Sequence, residues 1–243
     1  MSFALQHIPL RAFAFLAALS LCASALADEA AIRKAFKDKF PELNVEKVTR
    51  TPYSGLYEVF AQDQIVYTDE KGSFVVIGRL VDLKSGQDVT SERRGELSRV
   101  NFNDLPLSLA IKIVKGNGKR KMAVFSDPDC PFCKRLENEL TKVTDVTIYT
   151  FLYPIDSLHP NAAEKARAVW CSSEQVKSWN DLMLNGVTPK ATAKCDDPIS
   201  KIAELGEKYR VTGTPTIIFS NGRKVPGAVP AEELEKMLNA TAK

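Results

Sequence analysis

The feature that most narrows what this 243-residue chain can fold into is Cys130-Pro131-Phe132-Cys133, set between an apolar run and a helical pattern. Lys121 to Phe125 reads as a strand, Ser126-Asp127-Pro128-Asp129 as a turn, and the residues from Lys134 to Leu140 as the continuation of a helix. Two cysteines with this spacing at a strand-to-helix junction place the first one at a helix N-terminus. Unpaired backbone N–H groups and the positive end of the helix dipole stabilise a thiolate there, which makes Cys130 both a nucleophile and a good leaving group. Cys133, one turn further on, can reach back to close a small and readily opened disulfide. Pro131 suits the first helical position, since it has no N–H to leave unpaired and its φ is preset. The placement predicts an exposed Cys130 and a shielded Cys133.

The pattern around this motif is α/β. Val146 to Leu152 reads as a strand, Ala162 to Val169 and Ser178 to Leu184 as helical, and Ile199 to Tyr209 as a further helix leading to a strand at Thr216 to Phe219. Asn221-Gly222 signals a hairpin into a last strand over Lys224 to Val229, and Ala231 to Leu238 closes with an amphipathic helix. Strand, helix, strand, helical insert, hairpin and helix in that order predict a mixed sheet covered by helices.

The N-terminal part differs. Residues 1–27 combine Arg11, the apolar run Ala12 to Cys22 and the ending Ala25-Leu26-Ala27, which predicts a cleaved secretory leader. A bulky Leu21 precedes Cys22 and argues against a lipid anchor there. Glu29 to Phe36 has helical spacing, and Leu56 to Phe60, Ile65 to Tyr67, Phe74 to Ile77 and Leu80 to Leu83 read as short antiparallel strands. Fewer than about 70 residues make a thin core, and such a module often pairs its edges with a second copy. Thr90 or Ser91 can cap a helix through Leu97 and Val100 with little apolar face, as expected of a linker between two domains.

Without Arg11 the chain has 32 basic residues against 30 acidic ones, a balance that points to neither nucleic acid nor a membrane surface. Lys115, Lys119, Arg120 and Lys121 flank Gly116-Asn117-Gly118 and read as a solvated turn. Four cysteines remain after the leader, and export favours their pairing. A zinc site is disfavoured, because Cys171 and Cys195 lie 24 positions apart and form no second knuckle. They read instead as a staple across the helical insert, with a second redox pair as the alternative. His159 stands in Ser157-Leu158-His159-Pro160 and reads as a solvated loop residue, not the base of a cysteine hydrolase. Pro215, at the start of an apolar strand, would by itself be read as trans.

Together, FSDPDCPFCKRL, AVWC followed by KC, and VTGTPTIIFSNGRKVPG resemble the periplasmic DsbC/DsbG-type disulfide isomerases across nearly the whole mature chain. The resemblance implies a thioredoxin-like catalytic domain with a helical insert over 117–243, in which Cys130 attacks, Cys133 resolves, and Thr214 precedes a cis Pro215 beside the pair. It implies a structural disulfide between Cys171 and Cys195. It further implies a small α+β, cystatin-like dimerisation domain over 28–89, a linker helix and connection over 90–116, a homodimer, and a membrane reductase of the DsbD kind that keeps Cys130 and Cys133 reduced. Clients would be misfolded exported proteins with disulfides, and no cofactor or metal is implied. The central Pro131-Phe132 departs from the Gly-Tyr common in isomerases and the Pro-Tyr of the DsbG-like branch. That leaves a thiol-protecting, DsbG-like reductase or chaperone beside the isomerase reading, with a DsbA-like dithiol oxidase as the rival in which the N-terminal module has no place.

Overall fold

The computed structural model describes residues 28–190 and 195–241. The expected leader over 1–27 lies outside the described residues. Two compact units divide between Leu97 and Ser98.

In the first unit α1 (28–39) precedes three antiparallel strands, β1 (Lys47–Arg50), β2 (Tyr57–Ala61) and β3 (Gln64–Thr68), in that spatial order. Ile32 and Phe36, one helical turn apart, pack on Val48, Tyr57 and Val59. The β2–β3 turn uses Gln62 and Asp63, both at positive φ, so the hairpin forms without the Asn-Gly signal that would have announced it. The helix α2 (Val89–Leu97) is capped by Asp88, whose carboxylate accepts the Ser91 N–H at 3.0 Å, two to three residues before the cap expected from sequence. Thr90 instead turns inward, where its hydroxyl meets Tyr67 Oη at 2.5 Å and accepts the Leu80 N–H at 2.7 Å. Arg93 reaches the buried Glu58 at 2.6 Å, so α2 is bound to the sheet of its own unit. The strands expected at Phe74 to Ile77 and Leu80 to Leu83 appear only as single bridges, Tyr67 to Val76 and Val81 to Asp88. A ladder needs a neighbour along its length, and the described chain supplies one at those two points alone.

The second unit holds a five-stranded sheet in the order β4-β6-β5-β7-β8. Its strands are β4 (Ile111–Lys115), β5 (Arg120–Ser126), β6 (Val146–Leu152), β7 (Thr216–Phe219) and β8 (Lys224–Pro226). Only β5 and β6 run parallel, and Met122 stands opposite Ile148 on one side and Phe219 on the other. The helices are α3 (Pro131–Leu140), α4 (Ala162–Trp170), α5 (Gln175–Asn185), α6 (Ile199–Lys208) and α7 (Ala231–Ala240). β5 alternates its side chains between two cores. Met122 and Val124 join Leu136, Trp179 and Leu234 on one face, while Ala123 and Phe125 meet Phe151, Ile202 and Ile218 on the other. Such a strand, buried on both faces, reads as the continuous apolar run seen in the sequence.

Two expectations change here. The stretch expected to be connection up to residue 116 contains β4, which pairs with β6 along its whole length. Its Ile-Lys-Ile alternation was too short and too charged to stand out from the flanking linker. Of the basic cluster, Lys115 donates to the Leu140 carbonyl and Arg120 pairs with Glu235 and bonds Asn239, so both are internal ties and not solvated turn residues. The unit's beginning is also latched: the Val100 N–H donates to the Gly222 carbonyl at 2.9 Å. A side chain at position 222 would sit 2.3 Å from the Val100 carbonyl oxygen, at a φ of 85° that favours glycine. No described helix is long and apolar enough to cross a membrane.

Candidate active site

The site is assembled where β5 ends. Ser126 is the last residue of the strand, Asp127 to Asp129 make the turn, and Cys130 is the N-cap of α3 with Pro131 in its first turn. The Cys130 N–H donates to the Asp127 carbonyl at 3.2 Å, and the Cys130 carbonyl accepts the Lys134 N–H at 3.1 Å, which fixes the cysteine at the mouth of the helix. Cys130 and Cys133 are both free thiols.

Cys130 is 5% exposed, more covered than its position predicted. The cover comes from the loop before β7: the Cys130 thiol donates to the Thr214 carbonyl at 3.4 Å. The Thr214-Pro215 bond is cis. Sequence spacing alone gives no view of a loop that approaches from 84 positions away. Cys133 is fully buried, and its Sγ accepts the Asp127 N–H at 3.4 Å. Burial pushes the Cys133 thiol up to about 12, against the opposing influence of Ser126, the Asp127 N–H and Thr214. Phe132, between the cysteines, is 59% exposed.

Asp127 organises the turn, and sequence reading missed it. Its carboxylate is fully buried, accepts the Asp129 N–H at 2.8 Å and the Ile155 N–H at 2.7 Å, and meets His159 Nδ1 at 3.0 Å. His159 is therefore tied into the site and not free in solvent. A single histidine in a loop gives no periodic signal, and only its closure onto the buried Asp127 reveals the role. Asp129 is held in turn by Lys165 of α4 at 2.5 Å. One helical turn beyond Cys133, the buried Glu137 accepts the Trp179 indole N–H at 3.0 Å. Burial pushes the Glu137 carboxyl up to about 7, while Trp179 and Lys115 pull in the opposite direction.

Cys171 and Cys195 form a disulfide with their Cα atoms 5.8 Å apart, joining the end of α4 to the segment before α6. Bonded to each other, they are not ligands for a metal shared with Cys130 and Cys133. Among the described residues no group of three or more His, Cys, Asp or Glu side chains is placed to hold a metal ion. The arrangement is that of a dithiol. One sulfur stands at a helix start under a backbone carbonyl, and the other is shielded behind it.

Comparison with known proteins bears on this geometry. Residues 107–242 match a family described as a thioredoxin-like domain, and residues 23–91 match the disulfide bond isomerase protein N-terminal domain. A probable thiol:disulfide interchange protein DsbC of Bordetella parapertussis is 46% identical over 208 residues, covering 86% of this chain and 73% of the relative. The thiol:disulfide interchange protein DsbC of Escherichia coli K12 is 26% identical over 229 residues, 93% of each chain. A solved disulfide interchange protein from Neisseria gonorrhoeae superimposes with a TM-score of 0.55 at 49% identity, over 57% of this chain and 99% of that one.

Proposed function

This chain belongs to the DsbC family of thiol:disulfide interchange proteins, and on that premise we propose that it rearranges non-native disulfides in exported proteins, Cys130 attacking and Cys133 resolving. It is a thiol-disulfide oxidoreductase with a thioredoxin-like domain. The observation that carries the assignment of roles is the asymmetry of the pair. Cys130 caps α3 with its sulfur against the Thr214 carbonyl, and Cys133 is fully buried behind it, where burial holds its proton fast.

The cycle follows from that asymmetry. The Cys130 thiolate attacks one sulfur of a client disulfide, the client S–S bond breaks, and a mixed disulfide forms while the second client sulfur leaves as a thiolate. A different client thiolate then displaces Cys130, which gives isomerisation with no net change in oxidation. Alternatively Cys133 attacks Cys130, which releases the client reduced and leaves the pair oxidised. Thr214 and Pro215 present backbone beside Cys130, a suitable edge for an extended client segment. The Cys171–Cys195 disulfide acts as a staple for the helical insert.

The working form is a periplasmic homodimer exported by the 1–27 leader, paired through the first unit, and kept reduced by a membrane reductase of the DsbD kind. Supporting the pairing, Phe74 to Ile77 and Leu83 leave large apolar side chains in solvent, Ile77 at 85% and Leu83 at 95% exposed. The deciding experiment is refolding of a scrambled multi-disulfide substrate by the reduced protein. Recovery of native activity well above that with a Cys130→Ala variant supports isomerisation. Recovery no better than with that variant removes the proposal.

A further inference from the structure

Ser126 ends β5 at the turn that leads into the dithiol, is 1% exposed, and has a hydroxyl with no hydrogen-bond partner. An unpaired buried hydroxyl is costly and uncommon, and calls for a physical reason. Its neighbour Asp127 donates its backbone N–H to Cys133 Sγ at 3.4 Å, so the strand end is turned toward the buried sulfur. A hydroxyl rotates freely about its C–O bond and can hold its hydrogen idle against a neutral thiol, then direct it at the sulfur when a negative charge appears. Among the polar groups that favour an ionised Cys133, Ser126 stands first, ahead of the Asp127 N–H and Thr214, all of them opposing the cost of burial.

We propose that Ser126 is a positioning residue for the resolving step: its hydroxyl donates to the Cys133 thiolate and so sets how the mixed disulfide divides between reduction and isomerisation. The inference rests on the assignment of Cys130 as attacking and Cys133 as resolving sulfur. In the step concerned, Cys133 gives up its thiol proton and attacks Cys130 Sγ. A bond forms between Cys130 and Cys133, the bond from Cys130 to the client sulfur breaks, and the departing client thiolate takes up a proton from solvent in place of the one released. The client cysteine is reduced and the enzyme pair is oxidised, with no other reactant. Because burial makes ionisation of Cys133 the difficult part, a further donor at that sulfur, added to the Asp127 N–H, speeds this branch. The competing displacement by a client thiolate does not pass through Cys133. Ser126 therefore tips the balance toward release, and without it the mixed disulfide waits longer for a client thiol.

The test uses the full-length protein and its Ser126→Ala and Ser126→Thr variants, loaded with a peptide in mixed disulfide on Cys130. Release of the peptide is followed in single turnover, and scrambled-substrate refolding is measured in parallel. Loss of a hydrogen bond to a charged group predicts peptide release about tenfold slower in Ser126→Ala. It also predicts a larger isomerised share of product and an unchanged rate of Cys130 alkylation. Ser126→Thr, which keeps the hydroxyl, retains the parent's release rate. Removing an oxygen that bonds nothing in the resting site leaves the fold intact, and a merely structural defect would lower both branches together. Equal release rates in the parent and Ser126→Ala, or equal slowing in Ser126→Ala and Ser126→Thr, would overturn this inference alone. Failure of Cys130 to form the mixed disulfide in a Cys133→Ala background would overturn the assignment of roles as well.

Discussion

Glu137→Gln exchanges one buried oxygen for an amide group and leaves an acceptor for the Trp179 indole in place. In the folded protein burial is the main influence on this carboxyl and pushes it up to about 7 from its ordinary 4.5. The folded chain thus keeps the Glu137 proton through a range in which the unfolded chain has already lost it. The contribution is favourable below the unfolded value, falls as the pH rises between about 4.5 and 7, and levels off above that. At about 1.4 kcal/mol for each pH unit, ionising Glu137 in its folded setting costs about 3 kcal/mol, an upper figure that local relaxation reduces. Glutamine carries no such cost. The variant is expected to match the parent near pH 4 and to exceed it by about 1–3 kcal/mol near pH 8. Urea unfolding across that range, followed by tryptophan fluorescence, measures the difference directly, and comparing variant with parent cancels the other titrating groups. A variant with the parent's slope between those pH values, or one less stable near pH 8, would refute the reasoning.

Replacing both Cys171 and Cys195 by alanine is expected to destabilise the second unit by about 3 kcal/mol in the chain-entropy picture while insulin reduction persists, checked by calorimetry and turnover. In graded dithiothreitol, mass spectrometry should find Cys171–Cys195 still closed when the active-site pair is fully reduced. A fragment beginning at Ser98 should fold and keep disulfide reduction but lose isomerisation. One beginning at Asn117 forfeits β4 with the buried Ile111 and Ile113, and should be less stable than the Ser98 fragment by roughly 3 kcal/mol or more in denaturant. Asp127→Ala strands the N–H groups of Asp129 and Ile155 and should cost about 2 kcal/mol or more in stability, with Cys130 alkylation altered as the turn relaxes.

The catalytic half was legible because its signals are local and redundant. The apolar β5, the turn, Pro131 after Cys130, and Gly213-Thr214-Pro215 before β7 each say the same thing about neighbouring residues. What escaped were contacts made across the sequence. Asp127 meets His159 over 32 positions, and β4 shows itself only through its pairing with β6, while the approach of Thr214 to Cys130 was legible through the family resemblance alone. The first unit was harder for a different reason. Its hairpin turn is Gln62-Asp63 without the Asn-Gly pair that announces such a turn, and two of its apolar runs have no ladder among the described residues to make them strands. Apolar alternation reports what a segment is able to pair, and the partner decides whether it does.

The two ends of the five-stranded sheet show how the protein can handle its own clients safely. A protein that exchanges the disulfides of other proteins brings foreign chains against its own surface, and an open sheet edge is a template for adding a strand. Here the outer strand β8 is three residues long and ends in Pro226, which has no N–H to offer. At the opposite margin β4 carries Lys112 in solvent, a charge that discourages an incoming strand from settling alongside. The two outer margins of the sheet are thereby closed to an incoming strand, which keeps sheet extension, the first step towards co-aggregation, away from the reversible sulfur chemistry at Cys130.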